Sequence, residues 1–129
     1  MIPSGNVTNG SGSTSGAVTT TIGSIDTTTA YNGLNNCMIT VIVLVQGRTT
    51  GGAYIRMTLL RSFSRESGTI AALDASVITL GTTFASAALA AATGDIDFSS
   101  NTIRCRMTGV AGQDVNWVSS WSLLATEPS

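Results

Sequence analysis

The chain contains no His and, read directly, no Lys. Histidine is the commonest general base and metal ligand near neutral pH, and lysine supplies Schiff-base nucleophiles and the ammonium of phosphate-binding loops. Without them a Ser or Cys nucleophile has no base within the chain to take its proton, which excludes triad-type hydrolysis. The run Gly10 to Gly16 lacks the Lys and the preceding strand of a phosphate loop and reads as a linker. Charge is scarce as well: six arginines (Arg48, Arg56, Arg61, Arg65, Arg104, Arg106) against seven acids leave a net charge of −1 with 10% charged residues. Nucleic acid and acidic membranes call for a basic excess that this balance does not supply. The longest apolar run, Met38 to Val45, is interrupted by Thr40 and too short to cross a bilayer. The opening Met-Ile-Pro-Ser-Gly-Asn has neither a basic segment nor an apolar core, so no secretory signal is read and an intracellular origin is expected. No enzymatic activity, cofactor, metal or small-molecule substrate is expected.

What is present leans to β structure. At 129 residues and 43% hydrophobic content, one domain is expected to bury about two-thirds of its extended surface. Residues 1–17 are almost all Gly, Ser, Thr and Asn and predict a flexible N-terminal arm; residues 18–129 predict an antiparallel β-sandwich, jelly-roll-like, built from short strands between turn signals. Within it, Val18 to Ile22, and Ile25 with Thr27 to Tyr31, suit one or two strands. Asn32 to Asn36 is a turn, and Met38 to Gln46 is apolar on both faces, as in a strand covered on both sides or lying in a subunit contact. Ala53 to Arg65 predicts a long strand, Thr69 to Leu73 and Val77 to Leu80 two short ones. Phe84 to Ala92 suits either a short helix or an extended segment, with extended or irregular structure preferred in an otherwise β chain. Asp95 to Met107 predicts a hairpin, and Val115, Trp117, Ser119, Trp121 and Leu123 share one face of a last strand.

Several side chains bear on chemistry. Asp95 and Asp97 point to one side of a strand, a spacing open to Ca²⁺ or acid/base work, but alternation with Ile96 and Phe98 predicts a solvated face paired across the hairpin with Arg104 and Arg106. Tyr31, Tyr54, Phe63, Phe84, Phe98, Trp117 and Trp121 are the material for a sugar-stacking platform; the shared face of the two Trp residues predicts core filling instead. Cys37 and Cys105 each fall at a predicted strand and are able in principle to bridge two facing strands, yet without a secretory signal they read as free buried thiols. Arg56, Arg104 and Arg106 are the outward arginines of two strands and mark a candidate interface. So little charge on so apolar a chain predicts a homo-oligomer.

The segments Gly52-Ala53-Tyr54-Ile55-Arg56, Phe63-Ser64-Arg65 and the run from Asn101 through Arg104-Cys105-Arg106 and Gly109-Val110-Ala111-Gly112 to Trp117 resemble a β-sandwich domain of tailed-bacteriophage structural proteins. The resemblance spans about residues 47–125. The Ala-rich residues 84–94 and Cys105 depart from it. It implies a virion protein: a capsid decoration (cement) protein that assembles as a homotrimer on the head surface, binds the major capsid protein and stabilises it, after assembly in the host cytoplasm. The alternative it carries is the receptor- or glycan-binding knob of a tail or head fibre. Under the first reading the arm of residues 1–17 grips the capsid, and removing residues 2–16 leaves a folded oligomer that no longer binds.

Overall fold

The computed structural model describes residues 7–30 and 36–128. They form an all-β, sandwich-like fold of antiparallel strands in two sheets. The larger, curled sheet runs β1 (Val7–Ser15), β9 (Asp114–Thr126), β3 (Asn36–Arg48), β4 (Tyr54–Glu66), β5 (Thr69–Ala72), with β6 (Ile78–Ala85) also pairing β4. The smaller runs β2 (Thr19–Asp26), β8 (Thr102–Thr108), β7 (Thr93–Ser99). Strand alternation places Ile39, Val41, Val43, Val45, Ile55, Met57, Leu59, Trp117 and Trp121 of the large sheet against Ile22, Ile96, Ile103, Cys105 and Met107 of the small one, all buried. Side chains two apart share a face, so this core follows from the pattern of the strands themselves.

The expected flexible arm is a strand over Val7–Ser15, paired residue for residue with β9 from Val7↔Ser122 to Ser15↔Asp114. Residues 1–6 lie outside the described residues. Low apolar content pointed to an arm, but sheet pairing uses backbone groups that Gly and Ser carry as well as Val does. Small residues are required here, because β1 lies directly against β2: a Cβ on Gly10 would run into the Ile22 carbonyl oxygen and stand 2.8 Å from Gly23 Cα.

Two further expectations are revised. Thr27 to Ala30 of the expected strand are not extended: they form one helical turn, α1, whose start is capped by the Asp26 carboxylate accepting Thr28 N–H at 2.9 Å, while Tyr31 lies outside the described residues. A local side-chain cap outweighs the β preference of three threonines. The strand expected over Val77 to Leu80 runs instead from Ile78 to Ala85, whereas the Ala-rich stretch beyond it has the preferred irregular structure, with a single 3-10 turn at Ala87–Leu89. The turn expected at Asn32 to Asn36 lies outside the described residues except for Asn36, which opens β3. Ser67 and Gly68, with φ of 51° and 77°, close the β4–β5 hairpin in the left-handed conformation that suits the twist of the strands.

Buried polar groups join the sheets. Pairing of β2 with β8 shifts register between Thr21 and Gly23, leaving Ile22 as an extra residue. Its carbonyl accepts the Ser119 hydroxyl at 2.9 Å, and Ser119 Oγ in turn accepts Trp121 Nε1–H at 3.1 Å. Trp117 Nε1–H donates to Thr14 Oγ1 of β1 at 2.9 Å. Both indoles are thus buried with their one donor satisfied. Arg61, on the inner side of β4, donates to the Ile96 carbonyl of β7 at 2.7 Å and to the Asp74 carbonyl at 3.2 Å, tying the sheets at their open side.

Candidate functional site

Register fixes what each sheet shows to the outside. On the small sheet the outward rows are Thr19–Thr108–Thr93, Thr21–Arg106–Asp95, Ser24–Arg104–Asp97 and Asp26–Thr102–Ser99. Every member is polar. Asp97 accepts Arg104 Nε–H at 2.8 Å and Nη2–H at 2.9 Å, with Arg106 Nη1 at 3.9 Å, which is the cross-strand pairing expected of this hairpin. That hydrogen bond to Asp97 raises the Arg104 pKa. Among the described residues no cluster of three or more His, Cys, Asp or Glu offers a metal site.

The outer face of the large sheet is written differently. Its rows are Asn116–Arg48–Tyr54, Val118–Gln46–Arg56–Phe84, Ser120–Leu44–Thr58–Leu80, Ser122–Ile42–Leu60–Ile78, Leu124–Thr40–Ser62 and Thr126–Met38–Ser64. Leu124 is 59% exposed, Val118 53%, Leu44 41% and Phe84 55%. A layer of water over so many adjacent aliphatic groups is unfavourable, and a contiguous apolar patch of this kind marks a contact surface. The expectation that Met38 to Gln46 is apolar on both faces is met, and the outer of those faces is open here. Two adjoining hollows cross it, one of about 530 Å³ between Asn9, Ser11, Leu44 and Val118, the other of about 520 Å³ between Arg48, Tyr54, Arg56 and Phe84. β6 adds an edge with no charged residue, exposed along seven of its eight positions.

The three arginines singled out from the sequence are not brought together. Arg104 and Arg106 stand on the outside of the small sheet, whereas Arg56 stands on the outside of the large one, beside Gln46 and Phe84 in register. Arg48 joins Arg56 on that face, its guanidinium 5.7 Å from the Tyr54 ring centre. Sequence reading missed Arg48 because it lies between the predicted strands Met38 to Gln46 and Ala53 to Arg65, although the alternation of β3 extended by two residues would have found it. Of the aromatics, Trp117 and Trp121 fill the core, Phe63 meets Phe98 edge-on at 5.8 Å, Tyr54 and Phe84 are exposed, and Tyr31 lies outside the described residues.

Cys37 and Cys105 are free and buried. Burial, with Asp95 and Asp97 adding to it, pushes the Cys105 thiol up to about 12; burial also raises Cys37, opposed by Arg65. Both are thiols rather than thiolates near neutral pH and so poor nucleophiles. No helix among the described residues is long and apolar enough to cross a membrane. No protein-family model matches the chain, and no curated protein matches it.

Proposed function

We propose that the chain is a non-enzymatic structural protein that works as a homo-oligomer, and, following its resemblance to phage sandwich domains, a trimeric capsid decoration protein whose partner is the major capsid protein on the head surface. The observation that supports this is the outer face of the large sheet. Apolar side chains there are packed side by side in register, while the small sheet of the same molecule is wholly polar outside. Burying such a face between copies contributes about 25 cal/mol for each Å² removed from water, and its rows from Ser120–Leu44 to Thr126–Met38 carry no charged residue, so that part of the face can meet another copy without like-charge repulsion. Residues 7–15 are engaged with β9, so this reading assigns capsid attachment to the body of the sandwich rather than to an arm.

Light scattering tests the assembly: the expected mass is that of three chains, and Leu44→Glu with Leu124→Glu is expected to give a folded monomer. A monomeric wild-type protein at micromolar concentration overturns it. Electron microscopy of decorated particles tests the location; density on the tail instead of the head would replace decoration with the fibre-knob alternative.

A further inference from the structure

We propose that the hollow at the Arg48 and Tyr54 end of the large sheet binds an acidic saccharide, a chain of uronate- or sialate-type sugars, through one carboxylate and the face of its ring. This goes beyond the assembly role, since the hollow lies at the opposite end of the face from Leu124 and Met38, and a contact between copies centred on Met38, Leu44 and Leu124 leaves its Arg48 and Tyr54 rim open.

Charge is the first argument. The chain pairs its other outward arginines: Arg104 and Arg106 face Asp97. Arg48 and Arg56 line one hollow of about 520 Å³ that contains no carboxylate among its lining residues, and among the described residues neither has an ion pair. Asp114 lines a separate hollow with Arg48; among the described residues it makes no ion pair with Arg48, and one of its oxygens accepts the Ser15 hydroxyl at 2.6 Å. Two guanidinium groups on one hollow are complementary to an anion, and a guanidinium fork matches a carboxylate in two parallel hydrogen bonds. Arg48 is held over the Tyr54 ring, which limits the rotamer freedom lost on binding.

The rest of the lining separates ligand classes. Inorganic phosphate would be served by the arginines alone and has no use for apolar rings. A sugar acid uses all of the site: Phe84, 55% exposed, offers a flat apolar surface to the C–H face of a pyranose ring, and the Gln46 and Asn116 amides each present a donor and an acceptor to hydroxyl groups. The hollow is shallow and lies on rigid strands, so the groups are in place before the ligand arrives.

The test is titration of the full chain, followed by calorimetry and amide NMR, with tetragalacturonate and α2,8-linked tetrasialate as probes. Controls are methyl-esterified tetragalacturonate, inorganic phosphate and tetraglutamate. At least one acidic saccharide is expected to bind with shifts confined to β3, β4, β6 and β9 around the hollow, weakened about tenfold or more by esterification and by raised salt. Arg56→Gln and Arg48→Gln are each expected to weaken it about tenfold, and Phe84→Ala to weaken it several-fold, with circular dichroism unchanged because all three side chains are on the surface. Leu124→Thr is expected to leave it unaltered. Absence of binding by both saccharides at millimolar concentration, equal binding of the ester, or indifference to both Arg variants overturns the proposal. Tighter binding of tetraglutamate overturns it in favour of an acidic protein partner, and tighter binding of phosphate in favour of a simple anion site.

Discussion

The two sheets share one core but differ on their outer faces. Behind Ile96, Ile103, Cys105 and Met107 the small sheet shows threonine, serine and cross-strand Asp–Arg pairs, the usual way to write a face that meets water. Behind Val41, Val43, Val45 and Leu59 the large sheet shows Leu, Ile, Val and Phe. Both alternate correctly, so the difference is not a demand of folding: the small sheet demonstrates that a polar outer face is compatible with this core. The proposed assembly accounts for the aliphatic surface of the large sheet as the face that copies bury, and a contiguous exposed apolar patch lowers the solubility of a lone chain.

The comparison breaks most severely if its frame is removed. Deleting residues 2–16 takes away β1, the Thr14 acceptor of Trp117 and the cover over β9. We expect a loss of about 3 kcal/mol or more and a melting temperature lower by roughly 10 °C; an undiminished melting temperature would return residues 7–15 to the role of a detachable arm. Next in size is Ser119→Ala, which removes the acceptor of Trp121 Nε1–H and the donor to the Ile22 carbonyl together. It is expected to cost about 1–3 kcal/mol in denaturant unfolding, and a neutral result would mean that solvent reaches the joint between the sheets.

Alkaline pH probes the core from the small-sheet side. The Cys105 thiol is raised in the folded protein to about 12 from 9.0. Above about pH 9 the unfolded chain releases that proton and the folded one keeps it, so the unfolded state binds fewer protons and stability falls as pH rises towards 12. Below pH 9 the contribution is fully present. The expected slope reaches about 1.4 kcal/mol per pH unit, and Cys105→Ala should flatten it; an equal slope in that variant would assign the effect to other groups.

The smallest effects sharpen the contrast between the faces directly. Asp97→Asn on the small sheet removes a partly exposed ion pair and is expected to cost about 1 kcal/mol or less without altering the oligomeric state. Met38→Thr, Leu44→Thr and Leu124→Thr together on the large sheet are expected to change monomer stability by comparably little, since these groups are exposed, while dissociating the oligomer in light scattering. If the triple variant stays assembled, the contact surface is elsewhere and the β6 edge is the next to test.

The order of legibility has a physical reason. Alternation in Tyr54 to Leu60, in Ile103 to Met107 and in Val115 to Leu123 determines which side chains turn inward, because successive residues of a strand point to opposite faces whatever their neighbours are. From that the buried Trp117 and Trp121, the Asp97–Arg104 pair and the all-β class were readable, while the free thiols of Cys37 and Cys105 were readable from the lack of a secretory signal instead. Partner choice was not. Backbone N–H and C=O groups are alike in every residue, so nothing local told that Gly- and Ser-rich residues 7–15 would pair with β9, or that the helical turn Thr27–Ala30, although its Asp26 cap is local, would dock on the Asn101 carbonyl. Nor did alternation say which sheet a strand joins. Arg56 and Arg104 both point outward, as their positions require, but they point outward from opposite sides of the molecule, and only the tertiary pairing of β4 with β3 and of β8 with β2 and β7 decided that Arg56 shares its face with Arg48, Tyr54 and Phe84.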